Sequence, residues 1–164
     1  MSQQQYILPT ISGMQIESRE EHSFPSTFSK KVNIAVFGFS KEQKEHTKTW
    51  QAVFADLKRD GGEWKEKDVD FNVFPLLPEM YWILARGIFE AVRYATVDDL
   101  IRQRTYLIHT DQVKFREALG IESDDKICIC VFAKDGTLLY KTREEAYTPE
   151  RGNLFIQKVD ELLA

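Results

Sequence analysis

Two runs, Val32-Asn33-Ile34-Ala35-Val36-Phe37-Gly38-Phe39 and Lys126-Ile127-Cys128-Ile129-Cys130-Val131-Phe132, are almost free of charge and rich in β-branched residues. They are too short for buried helices, and they are apolar at odd and even positions alike. That pattern suits central strands covered on both faces of a sheet. The covering layers must come from amphipathic helices, and the flanking segments supply them. From Lys41 to Asp60, Trp50, Val53, Phe54 and Leu57 recur at helical spacing among Lys, Glu and Gln. Gly61-Gly62 ends this helix, a polar connection covers Glu63 to Asp68, and Val69 to Phe74 alternates as a second strand. Strand, helix, strand in this order predicts a parallel βαβ unit.

Pro75 and Pro78 read as the next turn. A second helix is predicted from Met80 to Tyr94, with Tyr81, Leu84, Ala85, Ile88 and Val92 on one stripe. Because it is apolar almost all round, it should be buried or face a partner. Thr105 to His109 reads as a short strand or an extended segment, and Asp111 caps a helix over Gln112 to Leu119 that Gly120 closes. Lys134-Asp135-Gly136 is a tight turn that pairs Lys126 to Ala133 antiparallel with Thr137 to Lys141. Thr148, Pro149 and Glu150 open a final helix with Leu154, Phe155, Val159 and Leu162 on one face. The lead-in from Tyr6 to Phe28, with a turn signal at Ser12-Gly13, predicts an irregular hairpin along the sheet edge. The expected architecture is a three-layer α/β sandwich: a mixed sheet flanked by helices and preceded by that hairpin.

Length and composition narrow the function. With 164 residues, 43% hydrophobic and 29% charged, the chain reads as one domain: a lead-in over 1–28 and a core over 29–164. Twenty-two basic against 26 acidic residues give a net charge of -4, so no positive field is present for a nucleic-acid backbone. The longest apolar stretch, Met80 to Ala95, is interrupted by Arg86, Glu90 and Arg93. It falls short of the ~20 residues that membrane insertion requires. Two cysteines make no secreted disulfide framework, and the first residues show neither a basic n-region nor an Arg-rich transit pattern. The expectation is a reduced, cytoplasmic protein.

The order of elements, with VNIAVFGF before a long helix and ICICVFAKDGTLLYK before a final amphipathic helix, resembles the thioredoxin-like superfamily over about residues 28–164. The lead-in ISGMQIESREEHSFPSTFSKK is similar to the segment that precedes the first core strand in peroxiredoxins and membrane-anchored thiol-disulfide proteins, which points to the peroxiredoxin-like branch. A further likeness is to the thioredoxin-like assembly factor of the mitochondrial ATP synthase. It lies in Trp50, the aromatic pair Tyr81-Trp82, the segment KFREALGI (Lys114 to Ile121) and the KDG turn.

The resemblance implies a nucleophilic thiol at the start of the helix after the first core strand, where unpaired N–H groups and the helix dipole stabilise a thiolate. Here that stretch is Phe39-Ser40-Lys41-Glu42-Gln43, and no cysteine occurs before Cys128. Ser40 and Gln43 have the spacing of a capping box, in which the Ser40 side chain accepts from the Gln43 N–H and Gln43 returns a bond to the Ser40 backbone. As a nucleophile, Ser40 would need a base, and no histidine and carboxylate accompany it in sequence. The resemblance also implies a cis-proline before the third core strand. The corresponding stretch, Ser123 to Ile127, has none.

Cys128 and Cys130 are the remaining redox candidates. Two apart on a strand, their Cα atoms lie about 6.5 to 7 Å apart with parallel Cβ vectors, a poor geometry for a disulfide, and small core side chains are the ordinary role. His22, His46 and His109 fall in no metal-ligand spacing, and neither Asp98-Asp99 nor Glu122-Ser123-Asp124-Asp125 has the spacing of a calcium loop, so no metal or other cofactor is expected. Tyr81, Trp82, Phe89 and Tyr94 cannot share one helical stripe, so some must reach an outer surface. The expected function is a non-catalytic thioredoxin-like binding or assembly module. It would act on a protein partner through Ser40, Lys41, Gln43, Tyr81 and Trp82. The alternatives are an enzyme with a relocated site, a thiol sensor using Cys128 or Cys130, and a homo-oligomer paired through the second helix.

Overall fold

The computed structural model describes residues 4–164, the side chain of Trp82 excepted. Its strands are β1 (Ile11–Gln15), β2 (Glu21–Phe24), β3 (Val32–Gly38), β4 (Val69–Pro78), β5 (Tyr106–Thr110), β6 (Ile127–Phe132) and β7 (Leu138–Glu144). Its helices are α1 (Lys44–Lys58), α2 (Ala85–Ala95), α3 (Asp99–Gln103), α4 (Gln112–Leu119) and α5 (Pro149–Leu163), and 3-10 turns precede α1 (Lys41–Gln43) and α2 (Glu79–Leu84). The seven strands form one mixed sheet in the order β2-β1-β5-β4-β3-β6-β7. The pairs β3–β4 and β4–β5 are parallel, whereas β3–β6, β6–β7, β1–β5 and β1–β2 are antiparallel.

The alternation along the two central runs builds two cores. Val32, Ile34 and Val36 of β3 and Ile127, Ile129 and Val131 of β6 face Trp50 and Phe54 of α1 and Phe155 and Val159 of α5. Ala35, Phe37, Cys128, Cys130 and Phe132 face the other way, against Phe115 and Leu119 of α4 and Leu8, Phe24 and Phe28 of the lead-in. The three-layer α/β sandwich with its edge hairpin is therefore present. The caps are as the sequence indicates: Thr148 accepts from the Arg151 N–H, Asp111 from the Lys114 N–H, and Gly120 closes α4 at φ 66°.

Four segments differ from the sequence reading. Ser12-Gly13 lies inside β1, and the hairpin turns after Gln15 instead. Gly13 suits the close approach of the neighbouring strand, because a Cβ there would press on the Ile108 Cδ1 and the Tyr106 Cβ. Pro75 and Pro78 belong to β4. Pro75 falls where the β4–β5 ladder is interrupted, between the Val73–Thr105 bridge and the Leu76–Ile108 pair, and Pro78 closes the strand beyond the end of β3. The polar connection after α1 hides Trp64, which stacks on Phe54 with ring centroids 6.0 Å apart. Finally, α3 is too short for periodicity to announce. Its start is set by Asp98, whose side chain accepts from the N–H groups of Leu100 and Ile101.

Candidate functional site

The carboxyl ends of the parallel strands β3, β4 and β5 meet at one edge of the sheet, where open α/β folds place their sites. From β3 the chain passes through Phe39 and Ser40 into the 3-10 turn and α1. From β4 it passes into the 3-10 helix Glu79–Leu84, and from β5 through Asp111 into α4. Gln112 ties these exits together, its Nε2 donating to the carbonyls of Phe39 (3.1 Å) and Leu76 (2.9 Å). The His109 Nε2 lies 3.0 Å from the Glu79 carbonyl and joins the β5 and β4 exits.

The start of α1 does not form the expected capping box. Ser40 is extended and exposed, and its side chain caps nothing; its carbonyl accepts from the Gln43 N–H at 3.1 Å. The first turn is 3-10, which draws the Gln43 side chain inward and one residue further back than a capping box requires. There Gln43 is 6% exposed. Its Oε1 accepts from the Phe39 N–H at 2.9 Å, and its Nε2 donates to the Asp124 carbonyl at 2.6 Å. Gln43 thus bridges the loop before α1 and the loop before β6, and it is not available as a contact for a partner. Lys41 and Glu42 are exposed. In the second loop, Asp125 is held below the usual carboxylate range by the Ser123 hydroxyl and by its ion pair with Arg143.

Cys128 and Cys130 lie elsewhere, on the face of β6 under α4 and the lead-in, with no solvent exposure. Their Sγ atoms are 3.8 Å apart, and burial pushes the Cys130 thiol well above its ordinary value. Two thiols sealed in a core have no path to a substrate while the fold is closed.

The second helix differs most from expectation. It divides into the 3-10 helix and α2, and of α2 only Phe89 is buried. Met80, Tyr81, Ile83 and Leu84 are exposed, while the Trp82 side chain lies outside the described residues. The expected stripe fails because 3-10 winding at Glu79–Leu84 shifts the angular positions and turns Tyr81 and Leu84 outward. Polar contacts hold α2 down: Glu90 pairs with Arg19, and the Arg93 Nε donates to the Ile16 carbonyl at 3.0 Å. The sequence reading missed the roles of Gln112, Asp124 and Met80. A glutamine reaching two carbonyls leaves no signal in sequence, and the three-residue spacing of Met80 and Ile83 does not tell a 3-10 line from an α-helical one.

The histidines remain scattered. His22 stands edge-on to Tyr106, His46 lies on α1 and His109 bonds the Glu79 carbonyl. Among the described residues no three His, Cys, Asp or Glu side chains converge as metal ligands, and no helix is long and apolar enough to cross a membrane.

No family model matches the sequence, and no curated protein sequence matches it. Solved structures do match. A thiol:disulfide interchange protein from Bacteroides sp. is similar over 98% of this chain and 90% of its own, at 16% identity and a TM-score of 0.54. The mitochondrial 2-Cys peroxiredoxin from Plasmodium falciparum matches over 99% and 95%, at 10% identity and a TM-score of 0.57. ScoI from Arabidopsis thaliana, solved with copper bound, matches over 94% and 99%, at 9% identity and a TM-score of 0.60. The fold is thioredoxin-like.

Proposed function

We propose that this chain is a non-catalytic thioredoxin-like binding or assembly module that has lost the redox Cys-x-x-Cys pair. One observation carries the reading: where a thiol would gain from the N-terminus of α1, the residues are Ser40 and Gln43, and the Gln43 amide is committed to holding two loops together. A site built for thiol exchange needs a thiolate reachable by substrate, whereas this one is closed by hydrogen bonds. The exposed apolar residues of Glu79–Leu84 lie at the same edge and supply a contact surface of the kind protein partners use. Ser40 and Lys41 are exposed polar groups at the exit of β3, on the same edge of the sheet. The test is a thiol-disulfide exchange assay with a mixed glutathione disulfide as substrate. The expected rate equals the uncatalysed one, and an acceleration abolished by Cys128→Ala or Cys130→Ala would overturn the reading.

The 3.8 Å Sγ separation favours one second reading, a thiol sensor in which Cys128 and Cys130 become linked when the fold opens. Each thiol would give up its proton and the pair two electrons to hydrogen peroxide, forming the S–S bond and two waters as the O–O bond breaks. Mass spectrometry of the native chain after peroxide treatment would detect the loss of two hydrogens between these residues; two free thiols after treatment would remove this alternative.

A further inference from the structure

The two thiols of the chain share one face of β6, with Sγ atoms 3.8 Å apart. That is about twice the length of an S–S bond, so in the closed fold the pair is not spaced for a disulfide. It is spaced for an ion held between the sulfurs. With metal–thiolate bonds of about 2.3 Å, this separation corresponds to an S–metal–S angle of about 110°, and a straight S–metal–S line needs the sulfurs only about 0.8 Å further apart. Small χ1 changes supply that, because both side chains stand on the same side of one strand. Among the described residues no third His, Cys, Asp or Glu side chain joins them. Zn2+ and harder divalent ions, which take four or more donors, therefore find too few, whereas two thiolates complete the shell of a soft monovalent d10 ion.

The surroundings balance the charge of such a complex. Two thiolates around one monovalent cation carry one net negative charge, which an apolar core disfavours unless it is paired. Lys141 is the β7 register partner of Cys130 and shares its face of the sheet. Its Nζ donates to the carbonyls of Leu119 (2.9 Å) and Gly120 (2.5 Å) and stands 4.8 Å from the centre of the Tyr6 ring. These contacts are dipoles and an aromatic face rather than a carboxylate, so the ammonium charge is left to balance the complex. The lead-in supplies an entry path. Leu8 and Tyr6 pack on the same core as the thiols. Two backbone hydrogen bonds of 2.9 Å tie this strap to the sheet edge, from the Leu138 N–H to the Tyr6 carbonyl and from the Leu8 N–H to the Gly136 carbonyl. A segment held so lightly opens at less cost than β6 or α4.

We propose that Cys128 and Cys130 form a two-coordinate site for a soft monovalent d10 cation, Cu(I) being the first-row ion of that class, entered by release of the Tyr6–Leu8 strap. Binding sends both thiol protons to solvent and leaves the sulfurs reduced, so no oxidant takes part. The site does not rest on the binding-module reading and, unlike a thiol sensor, needs no disulfide.

The test is competition for Cu(I) between the reduced full chain and the chromophoric chelator bicinchoninate under nitrogen, with circular dichroism confirming that each variant folds. It is run after long incubation of the native chain and again after refolding from urea with Cu(I) present. One Cu(I) per chain should be withdrawn. Cys128→Ser and Cys130→Ser should each weaken binding about 100-fold or more, beyond the 10- to 100-fold that outer partners carry. Lys141→Met should weaken it about 10-fold and Lys141→Arg restore it. Leu8→Ser should speed uptake by the native chain several-fold, and an unchanged rate overturns the strap as the entry path. Because an unfolded Cys-x-Cys segment also binds Cu(I), urea unfolding separates a built site from a flexible one: Cu(I) should raise the midpoint of the wild type and leave that of the double serine variant unchanged. A midpoint that falls with Cu(I), Cu(I) left with the chelator in both procedures, or withdrawal that survives in the double variant overturns the site. Uptake of Zn2+ as tight as that of Cu(I) overturns the two-coordinate assignment.

Discussion

Replacing Gln43 by alanine removes an acceptor and a donor from a side chain that joins loops 81 residues apart. The Phe39 N–H would be left buried without a partner, at a cost of about 1–3 kcal/mol. The Asp124 carbonyl, only partly buried, recovers water and loses about 0.5–1 kcal/mol, and the vacated methylenes add about 1 kcal/mol. The expected total is about 3 kcal/mol. With a urea dependence of about 2 kcal/mol/M for a chain of this size, the unfolding midpoint should fall by about 1.5 M, read by tryptophan fluorescence. Gln43→Glu adds a directional check. The carboxylate can still accept from Phe39 but cannot donate to the Asp124 carbonyl, and its charge is disfavoured there. The folded-state pKa of the introduced carboxyl is thus raised, and the deficit of this variant should shrink as pH falls below about 5. A midpoint change below about 0.3 M for Gln43→Ala would refute the bridge as the element that closes the site.

Other perturbations follow the same reasoning. Asp98→Ala should cost about 1–2 kcal/mol at neutral pH, since Asp98 caps α3 and pairs with Arg59 at 2.8 Å. Burial alone would raise the Asp98 carboxyl, but the Arg59 bond and the Ile101 and Leu100 N–H groups outweigh it and hold it below its ordinary value. Its contribution is therefore complete above the unfolded carboxylate range and fades as pH falls below about 4, so thermal melts of Asp98→Asn should show a weaker acid dependence than the wild type. Arg151→Ala should cost about 2 kcal/mol by urea unfolding. It leaves the buried Glu144 carboxylate, now bound by Arg151 at 3.0 and 2.7 Å, with only the Thr142 hydroxyl at 2.6 Å, although the half-exposed Arg151 lowers the penalty of a fully buried pair. The double variant Cys128→Ala, Cys130→Ala should fold and lose about 2 kcal/mol by the same measurement.

Strong local signals carried most of the fold. The uncharged runs of β3 and β6 have no other stable use than a doubly covered sheet, and the Asp135-Gly136 turn, the Asp111 and Thr148 caps and Gly120 act within a few residues of themselves. The departures share another origin, in contacts between segments distant in sequence. Gly13 is dictated by Ile108, Pro75 by an interruption opposite β5, and Trp64 by Phe54. The candidate site was legible as an absence, since no cysteine stands between Phe39 and Lys44. What fills that place was not legible. Gln43 and Ser40 have capping-box spacing, but a 3-10 first turn and the carbonyl of Asp124 redirect the amide. The aromatic segment was recognised as exceeding a core's needs, yet its 3-10 winding, which sets the exposed line through Met80 and Ile83, is a preference too weak to read from residue types.

The most direct test of the central claim, that this fold binds rather than exchanges thiols, is the rate at which Cys128 and Cys130 react with an aromatic disulfide reagent in the native chain, followed by stopped flow. No fast phase is expected, only a slow reaction limited by opening of the fold, with two thiols titrated at once in denaturant. A native thiol that reacts within seconds, faster as pH rises through neutrality, would contradict it.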